Sequence, residues 1–439
     1  VAQFRTTADY VDAVLNRAGE TTSGTSPYES DALTYLNKIH YGLLAGGLIF
    51  DVNVDEAWTW ARAKYPYVLE LKAPVTTGTI TLTNGTDAGT FSSAPTVSLT
   101  GWHIRVDGEK TVYRIAAHTA SATAFEIDAF YVGTTGASKS YEAFKLDYEV
   151  VPTHVYIESG INDKLDFIRT GSTEATATLT AGAYTPSALG THVAAQITTA
   201  AGGSSTYGCT YDSVTGKFTL TSTLTGGDIF KFLGATGTNV ARSVLGTLGF
   251  DYSDNTSAAS QVATYVLGGV TRLVGPMRAF RAGLHSRDIE GVEIRTLQED
   301  CPLSEVSQRI PRKFAVLREG QDGRIVVRFD SYPHEAMKVE VDVIEVPLDL
   351  KDLAASVPRV PRKYSDVLEY GAACFILTDK EDDKAATYMQ FAKAQLLLMQ
   401  AAHRAQLKRT DPNFGGITPR ADLSALKRKL SYGYDAGND

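Results

Sequence analysis

The sequence predicts a multidomain α+β protein in which N- and C-terminal helices form one helical bundle, interrupted by small inserted β-rich modules and an inserted α+β domain. Three observations predict it. Apolar residues recur at helical spacing near both ends of the chain. Between them, short Thr-, Val- and Ile-rich runs alternate at period two and are broken by Asn-Gly and Asp-Gly turns. From about Ser172 to Gly269 the charge falls away, and a Thr-, Ala-, Gly- and Ser-rich stretch carries a pattern of its own. At 439 residues the chain exceeds one ordinary hydrophobic core, so several domains are expected.

The N-terminal helices occupy 1–66. Thr7 caps the first, which carries Tyr10, Val11, Val14 and Leu15 on one face and stops at Gly19. Ser30 to Gly46 repeats the pattern with Leu33, Leu36, Ile39 and Leu43. A third helix is expected from Asp55 as cap through Glu56 to Lys64, ended by Pro66. It would place Trp58 and Trp60 on different sides, both more often core than interface. A β-rich module over 67–152 follows, with strands at Val68–Lys72, Gly78–Thr83, Gly101–Val106, Tyr113–Ala116 and Phe125–Ile127 and turns at Asn84-Gly85 and Asp107-Gly108. Connecting segments at 153–171 and 270–310 flank the inserted α+β domain of 172–269. That domain contains a strand at Ala175–Leu179, a helix from Ser187 to Thr199 and a hairpin over Cys209–Thr221. Phe230, Phe232, Leu245, Leu248 and Phe250 are expected to complete its core.

Strands return over 311–347: Phe314–Leu317 and Arg324–Phe329, joined at Asp322-Gly323, then Lys338–Ile344. C-terminal helices span 348–408. Val367, Leu368, Ala372, Phe375 and Ile376 share a face up to Thr378, and after the acidic break Asp379–Asp383 a long helix carries Ala385, Met389, Ala392, Leu396 and Met399. The arm 409–439 is basic and holds Asp411-Pro412, Gly415-Gly416 and Pro419, which break helix.

Little in the composition or motifs points to catalysis. A formal charge of −8 argues against wholesale phosphate binding, which depends on Lys and Arg displacing counterions. Cys209, Cys301 and Cys374 lie far apart without a CxxC, and the eight histidines show no metal-ligand spacing, so no metal and no cofactor are expected. No phosphate-cradling loop, nucleophile elbow or His-Glu-x-x-His helix occurs, so no catalytic residue is assigned and the chain is read as a non-enzyme. No apolar run is long enough to span a bilayer and the first residues lack a secretory signal, which predicts synthesis in the cytosol and no membrane contact.

The order of motifs resembles the head-to-tail adaptor, or connector, family of tailed bacteriophages. The residues that carry the resemblance begin with Ser30–Gly46, Gly101–Val106 and Tyr113-Arg114-Ile115. They continue as Pro311–Ala315, Tyr332-Pro333, Val346–Leu350, Pro358–Tyr364 and Val367–Ala373, followed by a helix, an acidic break and a second helix. Each motif is weak alone; their shared order carries the likeness. The stretch Ser172–Gly269 departs from minimal adaptors and is similar to a small domain of assorted phage structural proteins. The resemblance implies a virion structural protein at the head–tail interface, made in the host cytoplasm. It would form a ring of about twelve copies beneath the portal protein. A downstream tail or nozzle protein would bind the far face, and DNA would pass through the lumen without sequence reading. The basic arm is then expected to order on the portal, with Lys427, Arg428 and Lys429 meeting acidic groups and Leu430, Tyr432 and Tyr434 seated in apolar pockets. Two rival readings are a tail-tip or receptor-binding protein, from the Thr- and Gly-rich middle, and, more remotely, a particle-borne cell-wall hydrolase. Paired carboxylates across a cleft cannot be read from sequence.

Overall fold

A computed structural model describes residues 5–21, 24, 26–54, 58–64, 67–168, 173–202, 207–223, 231–255, 259–280, 287–320, 323–347, 349–350 and 358–409, with the backbone alone at 287 and 406–409. The chain forms two compact units, Val1–Ala61 with Asp349–Asp439, and Arg62–Leu348.

The first unit opens with α1 (Thr7–Arg17) and α2 (Glu29–Ala45). The N-cap of α1 is Thr6, one residue before the expected Thr7, because Thr6 and Asp9 form a reciprocal capping box: the Thr6 hydroxyl accepts from the Asp9 N–H at 3.3 Å and the Asp9 carboxylate accepts from the Thr6 N–H at 2.7 Å. Gly46, at φ +86°, ends α2. A hairpin of β1 (Gly47–Ile49) and β2 (Val52–Val54) follows, turning through Phe50 and Asp51 at φ +50° and +59°.

In the second unit, β3 (Tyr67–Leu71) precedes a module of β4 (Ile80–Leu82), β5 (Ala88–Phe91), β6 (His103–Val106), β7 (Val112–His118), β8 (Ala124–Ile127), β9 (Gly136–Lys139) and β10 (Tyr141–Phe144). These seven strands pair antiparallel in the order β10-β6-β7-β8-β5-β4-β9. One face buries Ile80, Phe91, Ile104, Ile115 and Phe125, the residues that alternate inward along the strands. After β11 (Asp147–Glu149) comes a separate small core containing β12 (Val155–Ile157), β13 (Lys164–Ile168), β14 (Glu174–Thr178), β15 (Gly182–Tyr184), α3 (Pro186–Ala200), β16 (Tyr207–Asp212), β17 (Lys217–Ser222), β18 (Lys231–Phe232) and β19 (Ser260–Val262). Thr185, not Ser187, caps α3, since Pro186 supplies a first helical residue that needs no N–H partner. Phe232, Leu245, Leu248 and Phe250 are buried here; Phe230 lies outside the described residues. The core already includes Val155 and Leu165, from the stretch read as a connector.

The remaining elements are β20 (Val270–Phe280), β21 (Arg287–Gly291), α4 (Ile294–Asp300), β22 (Lys313–Glu319), β23 (Ile325–Phe329), β24 (Met337–Glu345), α5 (Ser365–Asp379) and α6 (Ala385–Arg409). A second seven-stranded sheet runs β11-β23-β22-β21-β20-β24-β3, antiparallel except at β21–β22. The other segment read as a connector therefore supplies its longest strand, β20. The Gly275-Pro276 pair sits where the β20–β24 register shifts between Val274 and Arg278, so a proline that cannot donate falls in a bulge, with Gly275 at φ +74°.

Three expectations are corrected. The α+β architecture framed by a helical bundle gives way to a mainly β chain: the described residues hold 24 strands and six α-helices, and two large sheets organise most of the second unit. The terminal helices do not enclose a common bundle core either. α5 is the hub, with α1, α2 and α6 each packed on it, while α6 also meets β2 and the segment Arg362–Tyr364 and leaves Leu397, Leu398 and Ala401 exposed. The third helix also fails over Trp58–Lys64, which holds turns and a bridge; Asp55 and Glu56 lie outside the described residues. Its backbone groups are engaged elsewhere: Arg62 bridges Ile344, and the Ala63 N–H donates to the Val343 carbonyl at 2.8 Å.

Candidate functional site

In the first unit, the turn at Trp58–Ala61 lies beside the segment Pro358–Tyr364 and the last turns of α6. The Trp58 ring is fully buried, and its indole N–H donates to the Leu43 carbonyl at 2.7 Å. That carbonyl is among the last of α2, so a tryptophan side chain closes a helix end. Trp60 stacks on Trp58 at 5.8 Å with rings 24° apart, instead of facing away from it as helical spacing would demand. His403 meets the Trp58 ring edge-on at 5.1 Å. Pro361 starts a single 3-10 turn, Arg362–Tyr364, and the Lys363 ammonium lies 4.7 Å from the Tyr364 ring centre.

Together Thr59, Trp60, Pro361, Lys363, Tyr364 and His403 line a cleft of about 430 Å³. The Trp60 indole nitrogen is buried and makes no hydrogen bond among the described residues. Aromatic walls and one ammonium suit an extended polypeptide segment with a carbonyl or carboxylate; no nucleophile–base pair lines the cleft among the described residues. Sequence reading marked Trp60 and Pro358–Tyr364 separately, and nothing in their spacing, some 300 residues apart, announced that they meet.

Other chemically capable groups are engaged in structure. Glu369, buried on α5, accepts from Arg17 at 2.8 and 3.0 Å and pairs with Arg5, tying the start of the chain to its end. Asp163 binds Arg242 through both oxygens at 2.7 and 2.8 Å. Asp166 accepts from Thr176 and Asn239. Tyr332 donates to Glu142, which also takes Arg105 at 3.1 Å. Asp382 accepts from the Lys384 N–H at 2.8 Å, at the entrance to α6.

Burial pushes the Cys209 thiol up to about 12 and that of Cys374 to about 11, so neither is a nucleophile; Cys301 is half-buried. Burial drives His40 down to about 3, and its Nε2 accepts from the Arg359 N–H at 3.2 Å. Among the described residues no group of three or more His, Cys, Asp or Glu is placed to hold a metal ion, and no helix is long and apolar enough to cross a membrane. The expected docking residues Lys427, Arg428, Lys429, Leu430, Tyr432 and Tyr434 lie outside the described residues. Neither a family model nor a curated protein matches the chain.

Proposed function

We propose that this chain is a virion structural protein, a head-to-tail adaptor that forms a ring beneath the portal, joins the filled head to the tail and lets DNA through its lumen. The observation that carries the reading is the ordered series of motifs from Pro311 to Ala373, with a helix, acidic break and helix after it. Two features of the molecule support it. Helices from early and late in the sequence, α1, α2, α5 and α6, share one compact unit that can present a single assembly surface. One of the marked motifs, Pro358–Tyr364, helps build an aromatic and basic cleft of a kind that receives a partner segment. Function on this reading is shape and buried area, without a covalent step.

The test is electron microscopy of the full chain mixed with isolated portal rings. A second ring on one face of the portal supports the adaptor. A chain that stays separate, or that trimerises alone and binds host cells, overturns it in favour of a tail-tip protein. Truncation after Pro412 tests the arm: undiminished portal binding would remove Lys427–Tyr434 from the docking surface.

A further inference from the structure

Helix α6 is apolar on two opposite faces. One carries Ala392, Leu396 and Met399, all buried in the first unit. The other carries Thr387, Phe391, Ala394, Leu398, Ala401 and Ala405, every one exposed, with Phe391 at 49% and Leu398 at 61%; the Phe391 ring, at the edge of this row, also lies 5.5 Å from the Tyr370 ring of α5 and 6.3 Å from that of Tyr388. The spacing of this outer row is four, three, four, three, four, the repeat with which one helix packs along another, and no charge interrupts it. A surface helix ordinarily turns a polar face outward, so a second apolar seam calls for a cover.

The seam is complementary to itself reversed. Laid antiparallel on a second α6 about a two-fold axis at the height of residue 396, Phe391 faces Ala401, Ala394 faces Leu398, and Thr387 faces Ala405. Phe391 and Leu398 thus each meet an alanine, and the outer layer pairs two small residues, the arrangement that lets two helices approach closely without voids. A parallel pair in register would instead set Phe391 on Phe391 and leave Ala394 against Ala394. Charge selects the same orientation. The stretch before α6 is net acidic, Asp379, Glu381, Asp382 and Asp383 against Lys380 and Lys384, whereas the bases Lys393, Arg404, Lys408 and Arg409 are weighted toward the far end of α6 and no acid lies between Ala385 and Arg409. Antiparallel packing brings the acidic end of each copy toward the basic end of the other and opposes the two helix dipoles.

We infer that α6 joins two copies of this chain in an antiparallel, two-fold pair through Phe391, Ala394, Leu398 and Ala401. The contact is isologous and closes at two copies, so it is distinct from any ring contact and stands or falls independently of the adaptor reading.

Sedimentation equilibrium of the full chain across the micromolar range tests it. The wild type is expected to be a dimer, and Leu398→Glu to weaken the association roughly a hundred-fold, as loss of a central apolar anchor does, with unchanged circular dichroism. Ala394→Leu separates the proposed register from general stickiness. It adds apolar surface to an exposed position, so a merely sticky face would associate more; in the antiparallel pair the new side chain collides with Leu398 of the other copy, and dimerisation falls. A wild type that is monomeric throughout, a Leu398→Glu dimer as tight as wild type, or an Ala394→Leu chain that associates as well or better would each overturn the inference.

Discussion

Gly371 lies inside α5, where alanine would ordinarily strengthen the helix by about 1 kcal/mol. Here the sign reverses. A β-carbon at Gly371 would stand 2.4 Å from Phe50 Cζ, 3.2 Å from its Cε2 and 2.7 Å from Ile39 Cδ1. The isoleucine methyl can rotate aside, but the Phe50 ring is rigid and sits at the tip of the β1–β2 turn, packed beside Phe375 at 6.1 Å. The hairpin itself must move, and overpacking of this kind costs about 1–3 kcal/mol. Set against the helix gain, Gly371→Ala should destabilise the first unit by up to about 2 kcal/mol. The assay is denaturant unfolding followed by tryptophan fluorescence in a Trp102→Phe background, which leaves Trp58 and Trp60 to report the first unit alone. Repeating the substitution in a Phe50→Ala chain removes the collision, and there Gly371→Ala should be neutral or stabilising. A Gly371→Ala protein as stable as its parent with Phe50 in place would refute the reasoning.

Three further outcomes follow from the same geometry. Trp58→Phe keeps the ring but orphans the buried Leu43 carbonyl, and should cost about 1–3 kcal/mol in first-unit unfolding; no loss would mean the carbonyl has another donor. Burial holds His40 down to about 3 and His103 to about 4, so both stay neutral in the folded chain while the unfolded chain protonates near 6.5. The stability each contributes is complete above pH 6.5 and is lost as pH falls toward the folded value, at about 1.4 kcal/mol per unit. Unfolding should approach that slope in each unit between about pH 6 and 5, with His40→Gln flattening it in the first unit only. Burial alone would raise the Asp163 carboxyl, but the Arg242 guanidinium together with the Gly160 N–H, which donates to it at 3.0 Å, holds the group below its ordinary range. Arg242→Ala leaves that carboxylate with the Gly160 N–H but without its cation and should cost about 1–3 kcal/mol, read as lost amide-exchange protection at Phe167 and Leu245; unchanged protection would mean water reaches the site.

Local pattern sufficed wherever one segment's own chemistry decides its conformation. The apolar repeats of α1, α2, α5 and α6, the hairpin around Gly216 and the alternation of β22, β23 and β24 can all be read from neighbouring residues. What local pattern could not decide is where a segment's partners lie. Trp58–Lys64 has helical spacing, yet its backbone groups bond to Val343 and Ile344, almost 300 residues away, and that pairing prevails. Val270–Phe280 looks interrupted by Gly275-Pro276, yet sheet pairing on either side absorbs the break as a bulge. The aromatic cleft joins Trp60 to Tyr364, and the Glu369 cluster joins Arg5 and Arg17 to α5, through contacts with no signature in spacing. The sequence by itself determined the period of each element and hence which of its faces is apolar. Only the tertiary structure decided which apolar faces find a cover within the chain, and α6, which buries Ala392, Leu396 and Met399 and leaves Leu398 and Ala401 exposed, is where that difference has most consequence.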